Sequence, residues 1–289
     1  MTDATLSSDI SRLLNNRSFI ELSARQRTLA LMDTDSFREL IGPFDRLVSP
    51  WLAKQGIVPQ SDDGVVIGKG TMDGQPTVIA AIEGAFQGGS MGEVGGAKIA
   101  GLLELAAEDN RNGIPTRAVL LLETGGVRLQ EANLGLAAIA EIQAAIIELR
   151  QYQPVIAVVA GPVGCFGGMS IAAALCSYLL VTQEARLGLN GPQVIEQEAG
   201  IEEYDSRDRP FIWSLTGGEQ RYASALVDAY VADDIDSIAS HLRGLFAQGN
   251  SAQPRSRRHA WFLQRLNQVN TTEQLNAADV RAIYRGLQP

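Results

Sequence analysis

Two stretches decide how this chain folds: AVLLLETGGVRLQE at residues 118–131 and VIAVVAGPVGCFGGMSIAAAL at residues 155–175. In each, a short apolar run suited to a buried strand breaks at small residues. An amphipathic or apolar run suited to a helix follows. The breaks fall at Gly125-Gly126 and Gly167-Gly168. Glycine lets backbone approach a ligand closely, and a helix start leaves N–H groups without intrahelical partners. Two such turns facing one another present backbone donors to a developing negative charge, which is the geometry of an oxyanion hole.

Working outward, Val65-Val66-Ile67 and Thr77-Val78-Ile79 bracket Asp73-Gly74, a dipeptide favoured in tight hairpins. A loop of small residues spans 83–90, and the pattern predicts a helix over about 92–110. The central theme then repeats. Strands are predicted near 118–123 and 155–160, with helices around 131–150 and 168–176 and further short strands at 178–182 and 185–189. This alternation implies an α/β architecture with right-handed crossovers. Residues 1–60 read as helical and connective, with Ser23 capping one helix and Asp35-Ser36-Phe37 opening another. The chain beyond Pro192 reads as helical and polar, and the tail from about 234 as helical apart from an interruption at 249–254. Nothing between 60 and 230 reads as a linker, so a single domain is expected over 1–289. Its core covers about 60–233, flanked by helical segments 1–60 and 234–289.

A net charge of -9 over 289 residues argues against a nucleic-acid partner, which calls for a basic face. The only cysteines, Cys165 and Cys176, lie in strongly apolar sequence and read as reduced, buried thiols. With His241 and His259 the only histidines, neither a Cys-His nucleophile nor a metal site is expected. No signal-peptide pattern and no apolar run of membrane-spanning length is evident, so the expectation is a soluble, cytoplasmic protein without a membrane partner.

Several lookalike motifs have plainer readings. Gly68-Lys69-Gly70 lacks the spacing and the Ser or Thr of a phosphate-binding loop and fits a hairpin strand. The cluster Gly88, Gly89, Gly92, Gly95 and Gly96 fits close helix packing, with ligand approach at Gly88-Gly89 the competing reading. Ser90 and Ser170 lack a nucleophile elbow. Glu123 and Glu131 flank the first glycine turn with Arg128 between them, either as an ion pair that fixes the turn or in a direct catalytic role. The acidic run 196–205 reads as a solvated face, and Arg255, Arg257 and Arg258 as an exposed basic loop that could also meet phosphates.

The ordered set of segments resembles the carboxyltransferase branch of the crotonase superfamily, which includes acetyl-CoA and propionyl-CoA carboxylase subunits. The segments are Ser23-Ala24-Arg25-Gln26-Arg27 with Asp35-Ser36-Phe37, FQGGSMGEVGGAK at 86–98, GGVRLQE at 125–131, the turn at 161–170, and GLNGPQVIEQ at 188–197. No four-cysteine zinc module can form, and the wording Glu123-Thr124-Gly125-Gly126-Val127-Arg128 is similar to that of the β subunits of biotin-independent malonate decarboxylases. The resemblance implies a crotonase-like (ClpP/crotonase) spiral of ββα units with flanking helices. It further implies decarboxylation of malonyl-S-acyl carrier protein to acetyl-S-acyl carrier protein through an enolate, with no cofactor bound by this chain. The acyl group would ride on the carrier's phosphoribosyl-dephospho-CoA prosthetic group. The implied partners are a γ-like malonate decarboxylase subunit that completes the site, the acyl carrier protein and an acyl-transferase subunit. Helices 131–150 and 168–176 would offer an apolar interface.

By the same resemblance the backbone donors are expected at Gly125, Gly126, Val127, Phe166, Gly167 and Gly168, and substrate contacts at Gly88, Gly89, Arg128, Gln130 and Glu131. Two other readings stay open: a biotin-dependent acyl-CoA carboxyltransferase subunit, and a non-catalytic scaffold for the partner.

Overall fold

A computed structural model describes residues 17–56, 63–270, 272 and 275–284. Seven strands form one sheet in sequential order: β1 (Arg38–Glu39), β2 (Val65–Met72), β3 (Gln75–Ile82), β4 (Arg117–Leu121), β5 (Val155–Val159), β6 (Tyr178–Thr182) and β7 (Ala229–Val231). The first three are antiparallel to one another, and β3 to β7 run parallel. The crossover helices are α2 (Glu93–Arg111) between β3 and β4, α3 (Asn133–Leu149) between β4 and β5, and α4 (Gly168–Leu175) between β5 and β6. Because the strand order never reverses, right-handed crossovers set these helices on one face and wind the chain into a spiral.

The period-2 pattern of the strands sorts their side chains between two cores. Val78, Ala80, Leu120, Ala157 and Leu179 face the crossover helices, beside Ile99, Leu103, Ile142 and Ile146. Their neighbours Ile79, Ala81, Val119, Ile156 and Leu180 face the opposite side. That side is covered by α1 (Ala24–Leu31) and α8 (Ile235–Gln248), together with Phe19. Five further helices complete the ten among the described residues: α5 (Pro192–Ala199), α6 (Arg209–Thr216), α7 (Gly218–Ala223), α9 (His259–Leu266) and α10 (Ala277–Tyr284).

Local signals act where the sequence places them. Ser23 caps α1 in a capping box with Gln26. Asp73 (φ 52°) and Gly74 (φ 69°) form the two-residue turn of the β2–β3 hairpin. The Asp33 carboxylate ties this turn down, accepting from the amides of Asp73 (3.0 Å) and Gly74 (2.8 Å) and from the Thr71 hydroxyl (2.6 Å). These bonds hold the Asp33 carboxyl below the usual carboxylate range.

The helix expected from Asp35 does not form. Asp35 sits at φ 59° in a turn, and the next residues pair as β1 with β2. Residues 185–189 are not a strand of the main sheet either. They belong to a second layer of single parallel bridges, Met91 with Val127, Thr124 with Cys165, and Cys165 with Leu187. The parts of these expectations that fall on 1–16, 57–62, 271, 273–274 and 285–289 lie outside the described residues. Lys69 of the phosphate-loop lookalike lies in β2 and pairs with Asp109 at 2.5 Å.

Helices α2 and α3 approach closely enough that a Cβ on Gly96 would stand 2.4 Å from the Ala138 Cβ. Alanine normally favours a helix interior over glycine by roughly 1 kcal/mol. Here crowding is expected to win, so Gly96→Ala should lower stability by about 1–3 kcal/mol in urea unfolding. Adding Ala138→Gly should restore part of the loss, whereas a stabilised Gly96→Ala would contradict this packing.

Candidate active site

The two glycine turns lie at the C-terminal ends of β4 and β5 and touch through backbone alone. A Cβ built on Gly167 would be 3.3 Å from the Gly126 Cα and 3.9 Å from the Val127 nitrogen. Gly126 (φ 111°) and Gly167 (φ 61°) both occupy the region that favours glycine. Second-layer bonds register the turns: Met91 N–H donates to the Gly126 carbonyl (2.8 Å), and Arg128 N–H to the Met91 carbonyl (2.8 Å). Thr124 N–H donates to the Gly164 carbonyl (2.7 Å) and Phe166 N–H back to the Thr124 carbonyl (3.0 Å).

The six backbone groups singled out as donors are not equivalent. Gly125 N–H donates to the Gly88 carbonyl (2.9 Å), and Gly167 N–H to the Leu189 carbonyl (2.8 Å). Phe166 is engaged by Thr124, and Gly126 N–H reaches the Thr124 hydroxyl (3.1 Å). The amides of Val127 and Gly168 make no hydrogen bond among the described residues. Gly168 is the first residue of α4, where an N–H has no intrahelical carbonyl to meet.

Beside the first turn opens a cleft of about 680 Å³, within the range of small-molecule sites. Gly88, Gly125, Val127, Arg128, Gln130 and Glu131 all line it; Gly89 and the second turn do not. Gly89 instead packs so tightly that a Cβ there would be 2.0 Å from the Glu123 carbonyl oxygen. Sequence reasoning missed the other wall, which includes Leu47, Val48, Ser49 and Leu52. Its signal was the set of spaced apolar residues Phe44, Leu47, Val48, Trp51 and Leu52. Phe44 is 95% exposed and Leu129 81%, with Leu47, Val48 and Trp51 also exposed. On the two helices expected to form an interface, Leu136, Ile147 and Ile171 are exposed.

The charged residues at the turn bind one another. Arg128 Nη1 meets Glu131 Oε1 at 3.0 Å with both side chains buried. Its Nε reaches the Ser90 hydroxyl (3.2 Å), and its Nη2 the carbonyls of Ser90 (3.0 Å) and Asp63 (3.1 Å). Glu131 Oε2 accepts from the Glu93 amide (2.7 Å) at the start of α2, where helix geometry favours a carboxylate. Glu123 forms a second buried pair, with Arg27 Nη1 at 2.5 Å, which fastens α1 to the end of β4. Ser170 donates to the Gly167 carbonyl (2.7 Å).

A carboxyl transferase domain model matches residues 18–287. This chain belongs to the carboxyl transferase domain family. A Pseudomonas malonate decarboxylase hetero-tetramer, solved with malonate, contains a chain 72% identical to it, with a TM-score of 0.90 over 95% of this chain and 100% of that one. The malonyl-S-ACP:biotin-protein carboxyltransferase MADC of Malonomonas rubra is 40% identical over 78% of this chain and 74% of its own length. A transcarboxylase 12S structure shares 30% identity and a TM-score of 0.64 over 77% of this chain, which spans 40% of that one. The fold is therefore that of the crotonase-like carboxyltransferases.

Within this carboxyl transferase domain both thiols are fully buried. Burial pushes the Cys165 thiol up and the Cys176 thiol up to about 12. Neither Cys165 nor Cys176 should react with Ellman's reagent at mildly alkaline pH in the folded protein, and both should react after unfolding. Rapid labelling of the folded chain at Cys165, beside the second turn, would contradict a purely structural thiol.

Proposed function

We propose that this chain is the β-type subunit of a biotin-independent malonate decarboxylase, a carbon–carbon lyase acting as one crotonase-like unit. Its substrate is a malonyl thioester on an acyl carrier protein, and its product the acetyl thioester. Breaking the bond to the departing carboxylate leaves an electron pair that spreads onto the thioester oxygen as an enolate. The N–H groups of Val127 and Gly168 are the donors assigned to that oxygen. One preorganised backbone donor contributes about 3–4 kcal/mol to such a step. The observation that carries this reading is that these two amides alone, of the six at the touching turns, lack a partner among the described residues. The 72% identity to a chain of a solved malonate decarboxylase supports it.

Gly88, Gly125 and Gln130 line the cleft proposed for the thioester arm. Arg128 and Glu131 act by holding the turn, since each already binds the other. The cleft has an apolar lip at Leu47, Val48 and Leu129. We assign that lip to a γ-like subunit, whose wall completes the site and delivers the proton to the enolate carbon. The chain itself needs no cofactor in this scheme. The phosphoribosyl-dephospho-CoA arm belongs to the acyl carrier protein, which an acyl-transferase subunit of the same complex loads.

A second reading has specific support: MADC, 40% identical, is named for moving the carboxylate to a biotin protein. Both reactions pass through the same enolate and differ in the fate of the carboxylate. The reconstituted β–γ pair is expected to release CO2 from malonyl thioester without a biotin protein, and this chain alone to be nearly inactive. A strict requirement for biotin would overturn the decarboxylase reading.

Gly125 offers a cleaner probe of the cleft, because a Cβ there meets only the Gly88 carbonyl, at 3.3 Å. Gly125→Leu should leave assembly intact and lower kcat/KM by about 100-fold through displacement of the acyl group. Undiminished activity in the assembled variant would favour a scaffold.

A further inference from the structure

The basic run Arg255, Arg257 and Arg258 lies outside the chemistry above, at the other end of the parallel strands. Contrary to the exposed loop expected from sequence, Arg255 is buried and ion-paired with Asp228, and it donates to the Cys176 carbonyl at 3.2 Å. Arg258 reaches the same carboxylate at 3.8 Å. Arg257 is exposed and has no side-chain hydrogen bond or ion pair among the described residues. With Arg150 it lines a cavity of about 370 Å³ that also includes Gln151, Ser177, Asn250 and Ser251, and no carboxylate.

Arg150 is held at this cavity by Nη1, which donates to the Leu175 carbonyl at 2.7 Å. Its Nε and Nη2 make no hydrogen bond among the described residues. Burial depresses the Arg150 pKa; Cys176 opposes this in part, and the neighbouring Arg257 charge adds a smaller depression. Asp228 answers Arg255 and Arg258, so nothing in the cavity wall answers the remaining two guanidinium groups. Converging like charges are unfavourable unless an anion joins them, and guanidinium forks match the oxygens of a phosphoryl group. This concentration is notable in a chain of net charge -9.

We propose that the cavity between Arg150 and Arg257 binds the phosphoryl group of a small phosphorylated ligand. Hydroxyl and amide groups of Ser177, Ser251 and Asn250 surround the body of that ligand. The volume is at the lower end of small-molecule sites, about 300–1,000 Å³, which suits a phosphate monoester with a sugar-sized body. The site stands on the N-terminal edge of β5 and β6, away from the glycine turns, and does not rest on the decarboxylase reading.

The test is calorimetric titration of the full chain with ribose 5-phosphate and with inorganic phosphate, at constant ionic strength. Wild type is compared with Arg257→Gln, a change at an exposed side chain that leaves the Arg150 anchor in place. Saturable binding by wild type, about tenfold weaker in Arg257→Gln, is expected. Tighter binding of ribose 5-phosphate than of phosphate would identify a phosphorylated metabolite as the source of the group. Equal binding would identify free phosphate. Absence of saturable binding at millimolar ligand, or equal binding by Arg257→Gln, would overturn the proposal. Arg150→Gln, checked for its unfolding transition, supplies the second arm and should weaken binding in the same way.

Discussion

At the ends of β4 and β5 two backbone turns meet with no side chain between them, because any Cβ on Gly167 would press against Gly126. That contact governs most of what surrounds it. It demands a second layer of bonds, since the turns must find partners for their own amides and carbonyls. Met91 supplies both groups to Gly126 and Arg128, the Gly164 carbonyl serves the Thr124 amide, and the Leu189 carbonyl serves the Gly167 amide. Once the rungs are filled, Val127 N–H and Gly168 N–H remain uncommitted among the described residues. On the proposed reading, the pair of donors is thus a by-product of stacking one strand–turn–helix unit on the next.

Charge is arranged to hold this backbone in place. Arg128 and Glu131 clasp the first turn to the start of α2, and Arg27 and Glu123 fasten α1 to the end of β4. Breaking one partner of such a buried pair typically destabilises by about 3–5 kcal/mol, because the other charge is left uncompensated. Of the two readings open for these polar residues, the pairing favours a role in holding the turn, and the proposed chemistry lies in peptide groups. This division suits an enolate, which needs oriented dipoles at one oxygen more than a side-chain nucleophile.

Much of the fold was legible because its signals are local. Asp73-Gly74 sets its hairpin by turn geometry, Ser23 caps its helix, and the unbroken apolar runs of β4 and β5 mark buried strands. Elements fixed by distant partners were not legible. β1 is two residues long and exists by pairing with β2, so Asp35-Ser36-Phe37 looked like a helix start. β7 is three residues long and exists by pairing with β6. At the candidate site both glycine turns were readable, yet which amides stay free depended on Gly88 and Leu189 carbonyls 37 and 22 residues away. Arg255 looked exposed because its partner, Asp228, is 27 residues earlier in the chain.

Two N–H groups carry the proposed chemistry, and amide resonances report on them directly. The proposed complex of this chain with a γ-like subunit, selectively labelled with 15N in this chain, would be titrated with a stable enolate-mimicking thioester analogue. The amide protons of Val127 and Gly168 should move downfield as they take up a hydrogen bond, while those of Gly125 and Gly167 stay nearly unchanged. Saturation of the complex with Val127 and Gly168 unmoved, or with Gly125 and Gly167 shifting in their place, would contradict the assignment.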